Sequence, residues 1–242
     1  MVNGAFSLAG ETLEARASGA LYWPAARLLA AGDLHLGRGT AAARRGEALL
    51  PPYGDRDTLD RLIAEVAALA PRRLILVGDS FDDALGAAEA SATVVEAVQL
   101  LAAGRDLVWI AGNHDPRPVA DLPGRSAAFQ REGPITFRHI AAEAPPATAA
   151  GEVSAHYHPR ATLVGRAGAM RRRCFLAGNG RVILPAFGTY TGGMDAGDPL
   201  FDRLVGPNGC ALVLGRQVAA LPRRRLLGGA DSTRPKSAIS GQ

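Results

Sequence analysis

An α/β fold is expected for this 242-residue chain, and three features predict it. Short apolar runs end repeatedly at a Gly-Asp or Gly-Asn step. Apolar residues at helical spacing fill the intervals between the first three runs. After residue 130 the pattern changes to short strand-like runs divided by turns. Residues 28–31 before Gly32-Asp33, 74–77 before Gly78-Asp79 and 107–111 before Gly112-Asn113 have the length and apolarity of buried strands. Glycine directly after a strand lets the backbone turn sharply at the sheet edge. Between the first two runs Leu59, Leu62, Ile63, Val66 and Leu69 recur with helical period, Asp55 or Asp57 is placed to cap the start, and Pro71 stops the helix. A second helix is expected from about residue 87 to 103, with Val94, Val95, Val98 and Leu101 inward and Gly104 at its C-terminal stop. Strand and helix in alternation imply right-handed crossovers and helices packed on a sheet.

In the second half, residues 135–137, 152–155, 172–176, 181–184 and 211–214 read as strands, and Gly178-Asn179-Gly180 is a hairpin signal. The first twenty residues add one or two short edge strands. Residues 1–221 are expected to form one domain and 222–242, which mix Arg, Gly, Ser and Pro without period, a basic mobile tail. The apolar fraction of 48% suffices for a large single core. No run of about 18 apolar residues exists, so no membrane span or membrane partner is expected. The N-terminus shows no secretory signal, and Cys174 and Cys210 are too few for a disulfide framework. A reducing cytoplasm follows as the simple reading, with a single bridge between the two cysteines left open.

Of 27 basic residues 26 are arginine; the one lysine, Lys236, lies in the tail. A Gly-x-x-x-x-Gly-Lys phosphate loop is therefore excluded, and so is chemistry through a buried lysine. Residues 1–152 carry a net charge of −5 and residues 153–242 of +9. Between Val153 and Met194 stand six arginines and no acid. Such a stretch suits a polyanion, or equally a solvated face in an arginine-rich, lysine-poor chain.

The chemistry-bearing residues all follow expected strands: Asp33 and His35, Asp79, Asn113-His114-Asp115, His139, and His156 with His158. Loops at strand ends are where an α/β sheet gathers its ligands. Asp33 and His35, two apart in a gently turning segment, offer an oxygen and an imidazole nitrogen to one cation; His156 and His158 repeat this with two imidazoles. Asp79 has two oxygens with which to bridge a pair of metals, and Asn113 adds an uncharged amide oxygen. The mixed N and O set without thiolate favours Mn²⁺, Fe or Zn²⁺ over a structural thiolate zinc site. Each piece alone is a common turn or cap; their joint occurrence in this order points to a metal site.

This order resembles the calcineurin-like metallophosphoesterases, whose pattern runs Asp-x-His, Gly-Asp, Gly-Asn-His-Asp/Glu, His, Gly-His-x-His. Gly78-Asp79-Ser80-Phe81, Phe137-Arg138-His139, His156–Pro159 and especially Leu184-Pro185-Ala186-Phe187-Gly188-Thr189-Tyr190-Thr191-Gly192-Gly193 are similar to the bacterial ligase-associated DNA damage response endonucleases, the PdeM group. The likeness runs from about residue 5 to 215. It implies a four-layer α/β/β/α sandwich of two mixed sheets. It further implies two divalent metal ions, Mn²⁺ foremost with Fe or Zn²⁺ as alternatives. Asp33, His35, Asp79 and His158 would hold one ion, and Asp79, Asn113, His139 and His156 the other. A metal-bridging hydroxide would attack phosphorus, His114 would protonate the leaving oxygen, and Asp115 would orient His114. The substrate would be a phosphodiester, DNA in a repair setting, with a functional association with a DNA ligase; a homo-oligomer is left open.

Three positions depart from the group's pattern. Ala155 replaces a glycine, which requires φ below zero there. Asp82 stands where the group has histidine, and Ile140-Ala141 follow His139 in place of Glu-Pro. Arg117, Arg160 and Tyr157 are candidates for phosphate and base contacts, or for solvated and wall positions. Phe187, Tyr190 and Gly192-Gly193 form either a loop over the site or a turn ending an edge strand. Hydrolysis of a nucleotide or cyclic nucleotide is the alternative activity, and a non-catalytic scaffold the alternative class; the second predicts eroded ligand positions, and all seven are present.

Overall fold

The computed structural model describes residues 4–116, 122–165 and 168–226. Its first sheet runs β1 (Ala5–Leu8), β2 (Glu11–Ala15), β3 (Leu21–Trp23), β4 (Leu28–Ala31), β5 (Arg73–Val77), β6 (Asp106–Ile110) and β7 (Arg125–Ala127) in spatial order. Strands β1 to β4 pair antiparallel and β4 to β7 parallel. Helices α1 (Arg38–Arg44) and α2 (Gly54–Leu69) lie in the β4–β5 crossover and α3 (Ala92–Ala102) in the next. The second sheet contains β8 (Phe129–Glu132), β9 (Ile135–Arg138), β10 (Gly151–Ser154), β11 (Arg160–Gly165), β12 (Gly168–Gly178), β13 (Arg181–Ile183), β14 (Cys210–Val213) and β15 (Ala219–Pro222). Its order is β15-β14-β12-β13-β10-β9-β8, with β11 on β12, and α4 (Leu200–Leu204) precedes β14. Parallel pairs β9–β10 and β10–β13 make this sheet mixed as well.

Strand alternation sorts the apolar residues into layers. Ala30, Ile75, Val77 and Val108 point inward to meet Phe137, Val153, Phe175 and Val182 of the second sheet. Their neighbours Leu29, Leu74, Leu76 and Leu107 face outward onto Leu59 and Leu62 of α2 and Val94 and Val98 of α3. Both faces of β4–β6 are thus covered, which is why these strands read as unbroken apolar runs. On the far side, Cys174, Leu176 and Ile183 pack against Phe201 and Leu204 of α4. The result is the expected α/β/β/α sandwich of two mixed sheets. Among the described residues no helix is long and apolar enough to cross a membrane.

Several elements differ from expectation for local reasons. Helix α3 starts at Ala92 rather than near 87 because the Ser91 side chain accepts a hydrogen bond from the Val94 amide, an N-cap the apolar pattern does not register. Neither Asp55 nor Asp57 caps α2: Asp55 accepts the Gly37 amide at 3.0 Å, and Asp57 the Thr189 hydroxyl at 2.6 Å. The helix does end before Pro71, with Ala70 left-handed. The hairpin between β12 and β13 has Asn179 and Gly180 at positive φ, as a tight two-residue turn requires. Residues 222–226 belong to the folded domain instead of a tail: Pro222 ends β15, and Arg223 is fully buried against the Asp202 carboxylate and the Ala196 and Asp198 carbonyls. The rest of the expected tail, 227–242, lies outside the described residues, as does Arg117. Cys174 sits opposite Val213 and Cys210 opposite Ala177, so the two do not face each other, and both are free.

Candidate metal centre

Parallel β4, β5 and β6 end at one edge of the first sheet and deliver Asp33, Asp79 and Asn113 there; β9 and β10 bring His139 and His156 from the second. Backbone bonds lock the loops together. The Asp33 amide donates to the Gly78 carbonyl (3.1 Å), His35 to Asp79 (2.9 Å) and Ala155 to His139 (2.9 Å). The Asp33-x-His35 and His156-x-His158 pairs are not extended: all four residues, and Asp79, have positive φ. Non-glycine residues in that region carry strain that persists only when the surroundings over-determine it. Gly78 is needed both for its φ of 72° and for room, since a Cβ there would meet the His139 ring at 2.2 Å.

The donors fall into two adjoining groups. Asp33, His35 and His158 present ligand atoms within 4.8 Å of one another, with His158 Nε2 3.3 Å from Asp33 Oδ2 and 3.4 Å from His35 Nε2. Asp79, His139 and His156 form the second group, and His139 Nε2 lies 3.2 Å from Asp79 Oδ2 and 3.0 Å from Asn113 Oδ1. Asp33 links the two, its Oδ2 accepting the His156 amide at 2.9 Å. All seven expected donors therefore meet at one place.

A cation suits this arrangement. His139 Nδ1 is 3.2 Å from the Val77 carbonyl; donating a proton there leaves Nε2 as a lone pair facing two oxygens, a contact that a metal relieves. Buried Asp33 Oδ1 has no hydrogen-bond partner. Burial works against charge on Asp79, yet the His139 hydrogen bond and charge and the His114 amide hold its carboxyl at about 2. Burial likewise lowers His139, but Asp79 and Asp33 outweigh it and raise the imidazole above its ordinary value. Burial and the neighbouring His139 charge push His156 down, toward the neutral form a ligand needs.

A family model described as calcineurin-like phosphoesterase matches residues 26–171, more than half of the chain. The chain belongs to the calcineurin-like phosphoesterases. It is a metal-dependent hydrolase of phosphoesters. Among solved structures it is similar to the Pseudomonas putida nuclease MPE, at 25% identity and a TM-score of 0.67 over 91% of this chain and 99% of that one. Yfce, a phosphoesterase from E. coli, aligns over 81% of this chain and 98% of its own at 16% identity, with a TM-score of 0.42. No curated protein matches.

Within this calcineurin-like phosphoesterase the flanking residues correct several expectations. Asp115 does not orient His114. Its oxygens accept the amides of Ser80 (2.8 Å), Phe81 (3.1 Å) and Gly112 (3.2 Å), tying the loop after β5 to that after β6. Burial lifts its carboxyl to about 6, helped by the Asp79 charge and opposed by those amides. The exposed His114 ring is held instead by the Asp82 carbonyl, 2.8 Å from Nδ1. Asp82, which stands where the PdeM group has histidine, places Oδ1 3.0 Å from His35 Nδ1. Ala155 fits because its neighbour across the sheets is Gly32, where a Cβ would come within 2.5 Å of the Ala155 methyl. Tyr157 packs on Phe201 and His156 as a wall. Phe187 is buried and forms no loop over the site; the Gly188 amide donates to the Asp33 carbonyl at 3.0 Å, so this segment supports the site from within.

Proposed function

We propose that the chain is a dinuclear metal-dependent phosphodiesterase acting on DNA. One cation would be held by Asp33, His35, His158 and Asp79, the other by Asp79, Asn113, His139 and His156, with Mn²⁺ the ion that suits these nitrogen and oxygen donors. The observation that carries the reading is the meeting of two donor groups at one sheet edge, with Asp33 joined to both. When bound, the two ions supply Lewis acidity, lowering the pKa of water and neutralising charge on the phosphoryl oxygens. His114 Nε2 would give its proton to the leaving oxygen, the ring being fixed by Nδ1–H donation to the Asp82 carbonyl. Asp115 keeps the loops carrying Asp79 and Asn113 in register. The likeness to the Pseudomonas putida nuclease MPE supports nucleic acid as the substrate.

Hydrolysis of bis(p-nitrophenyl) phosphate and of single- and double-stranded DNA by chelator-stripped protein, with Mn²⁺ added back, tests this. Activity should vanish without metal and return with it. His114→Ala should keep its metal and lose about 10²–10⁴-fold in turnover of DNA, much less with the activated aryl leaving group. Full activity in Asp79→Ala or Asn113→Ala would refute the mechanism.

A further inference from the structure

The acid-free arginine stretch has no part in the chemistry above, yet the fold gathers several of its arginines. In the β11–β12 ladder Arg160 stands directly opposite Arg173, and Thr162 opposite Arg171. Opposite and next-but-one residues share a face, so Arg160, Arg171 and Arg173 lie on one side of the ribbon. Like charges directly opposite weaken a ladder. No carboxylate among the described residues makes an ion pair with any of the three. The nearby Asp195 spends its oxygens on the Thr162 hydroxyl and the Gly197 amide.

Arg61 of α2 joins them across an open groove of about 430 Å³, which Ser18, Thr189 and Gly215 also line. The one acid in its wall, Asp57, is paired with Arg61 and Thr189. Arg61 and Arg173 are pinned by the carbonyl oxygens of residues 187–189. Arg160 keeps a buried Nε without a partner, and Arg171 is exposed. Burial first, then the charges of Arg61 and Arg160, pull Arg173 down to about 10, with the Asp57 charge opposing.

Two segments of the metal centre continue along the chain into the groove. Arg160 follows His158 by two residues, and Thr189 follows Gly188, whose amide holds the Asp33 carbonyl. We infer that this groove is a phosphate track, which takes the backbone of a DNA strand whose scissile phosphodiester sits at the metal centre. The inference rests on the phosphodiesterase reading and extends it: a lone small phosphoester has no further phosphates to place among these arginines. Each neutralised phosphate of a single strand contributes about 0.7 to the slope of log affinity against log salt.

The test is fluorescence anisotropy of a labelled single-stranded oligodeoxynucleotide with slowly cleaved phosphorothioate linkages, titrated with Mn²⁺-loaded protein at several salt concentrations. Arg160→Glu/Arg171→Glu should lower the slope by about 1.4. Arg72→Glu, at the opposite end of β5 and equal in charge change to Arg171→Glu alone, should leave it unchanged. If the double variant does not fold, Arg171→Glu alone, at an exposed position, should lower the slope by about 0.7. An unchanged slope in the groove variants, or an equal fall in Arg72→Glu, overturns the track. Aryl diester hydrolysis by the wild type reads the reaction separately. Hydrolysis with groove-independent binding sinks the track alone, and groove-dependent binding without hydrolysis sinks the reaction alone.

Discussion

Asp82 is a fully buried carboxylate with three nitrogen neighbours: His35 Nδ1 at 3.0 Å, Arg38 at 2.7 Å and Arg45 at 3.1 Å. Burial opposes its charge, but the His35 hydrogen bond and the two guanidinium groups hold it well below the usual carboxylate range. By accepting from Nδ1–H it sets the tautomer of His35 and turns the Nε2 lone pair toward His158. Asp82→Asn should therefore weaken Mn²⁺ binding by about 10–100-fold in a calorimetric titration, while leaving the ligand set intact. Unchanged affinity would mean that packing alone fixes the ring. The residue was visible in the sequence, but its partners were not: Arg38 and Arg45, at the start of α1 and just past its end, reach it from 44 and 37 positions away. Asp115 misled for a related reason. The family resemblance implied a partner for His114, whereas its oxygens turn inward to backbone amides that a linear pattern does not display.

Among the elements, those with strong local signals were legible, namely the doubly covered strands β4–β6, the capless but periodic α2, and the Asn179-Gly180 turn. The missed ones lack such signals. Helix α1 is seven residues of Gly, Thr, Ala and Arg, and β7 and β8 are short and largely exposed. β11 and the first half of β12 bury little, so no alternation of apolar residues marks them. Contact between elements explains what composition alone leaves open at Ala155. The end of β4 passes so close to the end of β10 that only one methyl fits between Gly32 and Ala155. Gly32→Ala should cost about 1–3 kcal/mol in urea unfolding through overpacking. Ala155→Gly in the same chain should recover most of it, a coupling that a double-mutant cycle reads directly. Additive losses would show that the clash is not with that methyl.

For the molecule as a whole, the centre is a seam. Asp33, His35, Asp79 and Asn113 come from the first sheet, and His139, His156 and His158 from the second. Without a cation the seam gathers two buried carboxylates and four imidazoles, and leaves Asp33 Oδ1 without a hydrogen bond. A cation held from both sheets relieves that crowding, and the unfolded chain offers no comparable site. Binding to the folded state alone adds about 2.7 kcal/mol at a hundredfold excess over the dissociation constant. One kcal/mol moves the melting midpoint of a chain this size by about 2–4 °C, so each saturated site should raise it by about 5–10 °C. Differential scanning calorimetry with chelator and then with Mn²⁺ measures the shift. Asp33→Asn should abolish most of it. The metal-free variant should melt no lower than the metal-free wild type, because the change removes a buried charge along with a ligand. A midpoint indifferent to Mn²⁺ in the wild type would mean that the two sheets close without a bridging ion, and the donors would then be a polar seam rather than a metal centre.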